Sequence, residues 1–174
     1  MIEVNRPHAL MFHHFHSVKH IRGQGSIDEI EFRNIIEYYS ETHNVISADI
    51  YLERFYSQTL KENDVCITFD DNLRCQYDIA LSVLNSLKLK AFWFIYSLPL
   101  KGRFDKLETY RNFRSSKFNS FHEFYDAFFT ELQVHEKYKF VFEALIDFNY
   151  DNYLNEFSFY SKEDKIYREE IWNN

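Results

Sequence analysis

The sequence predicts an α/β fold with a parallel sheet, because segments of strand character alternate with helical periodicity through its first hundred residues. The clearest strand is Val65–Phe69, which is apolar and β-branched and runs directly into Asp70 and Asp71. A helical pattern over Leu73–Leu89 and a second apolar strand over 91–96 follow at once. Continuously apolar strands are typical of a sheet whose two faces are both covered, so a buried strand carrying charge to its carboxyl end is the centre of the predicted fold.

The segments before this strand are shorter and alternate between the two types. Residues 9–15 read as a strand because apolar and polar positions alternate, and a loop with turn residues covers 17–27. Ser26 and Glu29 have the spacing of a capping box for a helix over 28–41. A short strand over Val45–Ser47 and a helix over Ile50–Lys61 complete the alternation.

Beyond residue 100 the pattern becomes helical. We expect helices over Phe104–Phe113 and near 136–148 and 162–172. Between the first two of these we expect another helix, one face of which carries the apolar residues Phe121, Phe124, Tyr125, Phe128, Phe129 and Leu132. The 174 residues therefore predict a single domain, with a β/α portion over 9–98 and a helical segment over 101–174 packed on it.

Charge and hydropathy narrow the classes of function. The formal net charge of −7 argues against a nucleic-acid partner, because phosphate binding needs clustered Lys and Arg. No apolar run is long enough to span a membrane. The amino terminus has no basic segment followed by an apolar one, so we expect a cytoplasmic protein.

Asp70 and Asp71 admit two interpretations. Two adjacent ionised carboxylates repel each other, so a cation or a shared proton usually accompanies them, which indicates a functional site. Asp-Asp-Asn between a strand and a helix is equally a good helix-capping sequence. Spacing alone leaves both open.

A resemblance favours the site. Thr68-Phe69-Asp70-Asp71 resembles the first signature motif of the polysaccharide deacetylases, the NodB homology group or carbohydrate esterase family 4. Three further segments resemble segments of that family and occur in the same order along the chain: Met11-Phe12-His13-His14, Gly25-Ser26-Ile27 and Ala91–Ile95. The resemblance implies a distorted (β/α) barrel, here incomplete because too few strands can be identified.

The resemblance also implies a chemistry. In that family the first Asp is the general base and the second binds a divalent metal, usually zinc, so Asp70 would be the base and Asp71 the metal ligand of a hydrolase that removes N-acetyl groups from a carbohydrate. The family's two metal-binding His lie in a His-Ser/Thr-x-x-His motif after the acidic pair. The matching segment here, His16-Ser17-Val18-Lys19-His20, precedes it, so His16 and His20 are weaker candidate ligands. His13 or His14 would line the site.

Three alternatives stay open. The chain could be the front part of a longer deacetylase, or an inactive remnant that serves as a carbohydrate-binding module. From a different class, Asp70 or Asp71 could hold magnesium and accept phosphate in a phosphoryl-transfer or receiver-like domain.

Overall fold

The computed structural model describes residues 6–23 and 25–140, except for the side chains at positions 121 and 122. The predicted mixed α/β class is confirmed. Within the described residues, four strands form the sheet: β1 (His8–Phe12), β2 (Asn44–Val45), β3 (Asp64–Phe69) and β4 (Phe92–Trp93). Five α-helices accompany them in the same part of the chain: α1 (Glu29–Thr42), α2 (Ala48–Tyr56), α3 (Leu81–Ser86), α4 (Lys106–Lys117) and α5 (Phe121–Val134).

All pairings in the sheet are parallel, and β3 is its centre. β1 runs along one side of β3 over its whole length, with Phe12 opposite Phe69. The other side of β3 is shared, because β2 pairs with its start and β4 with its end. The described strands thus form an open sheet and not a closed barrel, and β1 has no second neighbour among them. The barrel implied by the resemblance is not seen in this part of the chain.

The main core lies on one face of the sheet. Ile67 and Phe69 of β3 point to this face, where α1 and α3 cover them. Phe69 stacks on Trp93 with ring centroids 4.3 Å apart, and Phe32 of α1 contacts Phe69 edge to face. Burial of these rings provides much of the apolar stabilisation that holds the sheet to the helices.

β3 begins with a buried charge. Asp64 is fully buried, and both of its carboxylate oxygens accept hydrogen bonds from Arg54, at 2.9 and 2.8 Å. Asn44 and the amide of Lys61 donate the remaining bonds. Burial alone would raise the pKa of Asp64, but the Lys61 amide, Arg54 and Asn44 outweigh it and hold that pKa below its ordinary value. The group ties α2 and β2 to the start of the central strand.

The start of α1 corrects one prediction. Its N-cap is Asp28, whose side chain accepts from the amide of Glu31 while Glu31 accepts from the amide of Asp28. Ser26 does not cap the helix, because its hydroxyl bonds Gly23 and because Ile27 is still extended and bridges to Phe15. The helix therefore begins two residues later than a cap at Ser26 would require.

Other boundaries differ by a few residues. The first strand ends at Phe12 because its partner β3 ends at the opposite Phe69, so the prediction of a strand to residue 15 was too long. The helix after the acidic pair contains a π-helical segment at Gln76–Ala80 before α3. The predicted helix near 136–148 opens with a 3₁₀ turn at Glu136–Tyr138, and its remainder from 141 lies outside the described residues, as does the predicted helix over 162–172.

The chain divides into two compact units between Ser115 and Ser116. The first holds the whole sheet, and the second holds α5. In α5, Ser120 caps the helix by accepting from the amide of Glu123. No helix in the described part of the chain has the length and apolar character that crossing a membrane requires.

Candidate functional site at the carboxyl end of the sheet

The predicted base lies next to a histidine at the end of two neighbouring strands. Asp70 follows β3 and His13 follows β1, and the parallel pairing of Phe12 with Phe69 brings the two residues to the same edge of the sheet. Asp70 Oδ2 is 3.8 Å from His13 Nε2, and about a third of each side chain is exposed (34% and 36%). The separation allows an ion pair or one bridging water, and both groups remain accessible to a small molecule.

A buried glutamine holds these strand ends together. Gln76 is fully buried, and its Nε2 donates to the carbonyl of His13 at 2.8 Å and to that of Asp70 at 2.6 Å. Its Oε1 accepts from the amide of Leu73 at 3.1 Å. One carboxamide thus satisfies three backbone groups that the strand ends and the helix start would otherwise leave unpaired.

Asp71 sits in a turn with an unusual backbone. Asp71 and Asn72 both have positive φ, 72° and 54°, a region that side-chain-bearing residues enter rarely and that Asp and Asn tolerate best. Neither Asp70 nor Asp71 accepts a hydrogen bond from the first turn of the following helix, where the glutamine does the capping. In the described structure the acidic segment therefore forms a turn, and the two aspartate side chains do not cap the following helix.

The two aspartates share one open depression of about 770 Å³. Its floor is the face of the sheet opposite the main core, with Met11 and Thr68, and its rim is formed by Phe94–Tyr96 after β4. Met11 and Phe94 are 58% and 55% exposed. The depression combines two carboxylates with exposed apolar and aromatic side chains, which is the composition of a site for a polar ligand with apolar faces.

His14 belongs to a different group from His13, although the two rings are parallel with centroids 6.3 Å apart. Arg111 Nη1 lies 2.9 Å from His14 Nδ1 and 3.1 Å from Glu108 Oε1. The same Nη1 lies 2.6 Å from His14 Nε2, and Nε2 is also 3.0 Å from Glu108 Oε1, so the arginine and the carboxylate both contact the ring. The first turns of α4 therefore fix this ring, with Glu108 and Arg111 three residues apart on one helical face.

His16 and His20 are engaged away from Asp71. The segment between them is a tight turn in which the backbones of Ser17 and His20 bond each other, at 3.0 and 3.2 Å. The ring of His16 bonds Ser26, and His20 Nε2 bonds Asp78 Oδ2 at 3.0 Å. Desolvation alone would raise the pKa of Asp78, but hydrogen bonds from His20 and Arg74 lower it.

A zinc site at Asp71 needs at least three protein ligands. The described residues contain one group of three possible ligands within 4.8 Å of one another, and it is His16, Asp28 and Glu31. Asp71 belongs to no such group, so the described side chains around it do not form a complete zinc site. In the group that does form, the two carboxylates are already reciprocal caps of α1, which accounts for their proximity.

Sequence reasoning missed three residues of this region: Gln76, Glu108 and Arg111. Gln76 could have been detected, because it is a polar residue at a buried position of a helix whose other buried residues are apolar. Glu108 and Arg111 had none beyond their spacing, because their contact with His14 joins residues more than ninety positions apart.

Comparisons with known protein families, with curated proteins and with solved structures find no match. The similarity to the polysaccharide deacetylases thus rests on the short motifs described above.

Proposed function

We propose that the depression beside Asp70 and Asp71 is the site of a hydrolase that removes N-acetyl groups from a carbohydrate, in the manner of the polysaccharide deacetylases that the motifs resemble. The observation that carries the proposal is the pair formed by Asp70 and His13, which lie 3.8 Å apart, each about one third exposed, at the carboxyl end of a parallel sheet. In open α/β sheets this end is where ligands bind.

The pair suits base catalysis. Asp70 would take a proton from water as the water oxygen attacks the acetamide carbon, and the C–N bond would break as Asp70 returns that proton to the leaving amine, giving acetate and the free amino sugar. His13 lies close enough to stabilise the carboxylate when its ring is charged. Gln76 would keep both backbones in place during the reaction. The exposed ring of Phe94 offers a surface on which a sugar can stack.

The resemblance further implies a divalent metal, most often zinc, at Asp71. Because the described side chains do not form a three-ligand set there, zinc binding is a separate property to measure. Isothermal titration with zinc, comparing the wild type with Asp71→Asn and with Asp28→Asn, distinguishes binding at the depression from binding at the start of α1.

The direct test is acetate release from N-acetylated chitooligosaccharides, with and without added zinc. Asp70→Asn should lower the rate by about 100-fold or more, the usual effect of losing a general base. Asp49→Asn is the matched control, because Asp49 is an exposed carboxylate of α2 paired with Lys90. Equal rates for the wild type and Asp70→Asn would refute the assignment of the base.

A second candidate function is carbohydrate binding without catalysis. It is favoured by the absence of a ligand trio at Asp71 among the described residues and by the exposure of Met11, Phe94 and Ile95 beside it. Oligosaccharide binding without acetate release, weakened about tenfold by Phe94→Ala, is the expected result. Phe104→Ala, which removes an exposed ring outside the depression, should leave affinity unchanged, and an equal loss in both variants would contradict this function.

A further inference from the structure

Three possible metal ligands from two parts of the chain meet at the start of α1. A ring nitrogen of His16 and one oxygen each of Asp28 and Glu31 lie within 4.8 Å of one another. His16 belongs to the turn after β1, whereas Asp28 and Glu31 are the N-cap and the third residue of α1. We call this group the α1 trio. Imidazole and carboxylate are ordinary ligands of zinc, and three protein ligands with water in the fourth position are a common zinc coordination.

The backbone places His16 beside the helix start. Phe15 and Ile27 form a parallel bridge. Ile27 donates to the carbonyl of His14 at 3.1 Å, and its own carbonyl accepts from the amide of His16 at 2.9 Å. His16 and Asp28 each follow one partner of this bridge and are therefore held next to each other. Helix capping explains why the two carboxylates are close together, but it does not explain why an imidazole lies beside them.

Ser26 determines which nitrogen of His16 is free to bind a metal. The Ser26 hydroxyl donates to the carbonyl of Gly23 at 2.8 Å, so its single proton is committed there. In its 3.1 Å contact with His16 Nδ1, the ring nitrogen must then be the donor. The lone pair of the neutral ring is consequently on Nε2, which makes no hydrogen bond to the other described residues. A hydrogen bond that fixes tautomer and ring orientation in this way is the usual support of a metal-binding histidine.

Each carboxylate of the α1 trio has one oxygen left over from the cap. Asp28 Oδ1 accepts from the amide of Glu31, and Glu31 Oε2 accepts from the amide of Asp28, both at 2.8 Å. In the described part of the chain, Asp28 Oδ2 and Glu31 Oε1 accept no hydrogen bond, and no Lys or Arg pairs with either group. Neighbouring carboxylates repel each other, so a divalent ion would relieve this repulsion while both capping bonds stay in place.

We propose that the α1 trio binds a divalent transition-metal ion, with zinc as the expected ion, through His16 Nε2 and the free oxygens of Asp28 and Glu31. Water would complete the coordination, because the group is partly exposed. The bound ion would tie the turn after β1 to α1. The site uses neither Asp71 nor His20, so it is not the metal site that the family resemblance implies, and it does not depend on the proposed hydrolysis.

The test is isothermal titration with zinc chloride. Asp28→Asn and Glu31→Gln each remove one charge but keep the helix start, because Asn is a good N-cap and Gln serves in a capping box. Each should weaken zinc binding about tenfold or more, as should His16→Gln, since even changes to groups that only support a ligand cost about 10-fold or more. Glu29→Gln is the matched control and should leave affinity unchanged, because Glu29 lies in the same helical turn but outside the trio.

Two more variants separate this site from the one that the resemblance implies. Asp71→Asn should bind zinc at the α1 trio as the wild type does, and repeating the other variants in this background removes any contribution of the depression. His20→Gln should likewise have no effect, because its ring bonds Asp78.

Far-UV circular dichroism checks that each variant folds. If His16→Gln does not fold, Glu31→Gln decides, since its side chain is exposed and its cap is kept. In the Asp71→Asn background, a dissociation constant above about 1 mM would overturn the proposal. Zinc affinity that is unchanged by His16→Gln, or that Glu29→Gln lowers equally, would overturn it too, because either result indicates only general attraction to the acidic helix start.

Discussion

Gln76 offers the sharpest test of how the strand ends are held. Replacing it with Leu keeps the size of the side chain but removes all three of its hydrogen bonds, to the carbonyls of His13 and Asp70 and from the amide of Leu73. An unsatisfied buried polar group costs about 1 to 3 kcal/mol. Because His13 and Asp70 are about one third exposed and water can reach them, the lower value applies to each of the three backbone groups. We therefore expect Gln76→Leu to lower the free energy of unfolding by about 3 kcal/mol.

The measurement is urea denaturation followed by far-UV circular dichroism. Gln133→Leu is the control, because this exposed residue of α5 should change stability by less than about 0.5 kcal/mol. Gln76→Glu separates donor from acceptor, since a carboxylate keeps the bond from Leu73 but turns oxygen toward two carbonyls. That variant should be least stable near neutral pH and recover as pH falls and the carboxyl gains a proton. A Leu variant within about 0.5 kcal/mol of wild type would refute the reasoning.

Three further predictions concern other groups. Asp64→Asn should lower stability by about 3 kcal/mol at pH 7, because Arg54 loses its buried partner. The folded-state pKa of Asp64 is lowered, so its stabilisation is present above the unfolded value of about 3.9 and is lost as pH falls further; acid denaturation of the variant should be correspondingly less steep. Asp71→Gly should raise the unfolding free energy by about 0.5 kcal/mol through relief of a positive φ, and a loss above about 1 kcal/mol in urea denaturation would contradict this. Burial raises the pKa of the Cys66 thiol to about 11 and also raises that of Cys75, so a chromogenic disulfide reagent at pH 8 should react slowly with the native protein and fast after denaturation; rapid native reaction would contradict it.

The local parts of the fold were predictable from the sequence. The apolar run of β3 and the helical spacing of α1 are strong signals because each depends only on neighbouring residues. The cap of α1 was harder, since Ser26 and Asp28 both precede a Glu by three positions. Only the extended backbone at Ile27, fixed by its bridge to Phe15, decides between them.

The site was predictable only where strand order determined it. Asp70 and His13 meet because β1 and β3 are parallel neighbours. The alternation of strands and helices predicts a parallel sheet, and the family resemblance places His13 near the acidic strand. The contact of Arg111 with His14 depends on how α4 packs against the turn after β1, and no local pattern encodes that. The expected pairing of His16 with His20 followed only from the match to a His-Ser/Thr-x-x-His motif. In the structure the ring of His16 bonds Ser26, and the ring of His20 bonds Asp78.

The π-helical segment at Gln76–Ala80 sets the orientation of Gln76 relative to the buried residues of α3. A π turn holds one more residue than an α turn, so Gln76 at its start and the apolar residues of α3 beyond it are offset by that extra residue. Deleting the exposed Tyr77 would remove that extra residue, so a return to α geometry would leave the two sides of the helix in nearly the same relative orientation. The same deletion inside α3 would instead rotate one side of the helix by about 100° against the other, so a change of one residue in length is tolerated at the π turn and not beyond it.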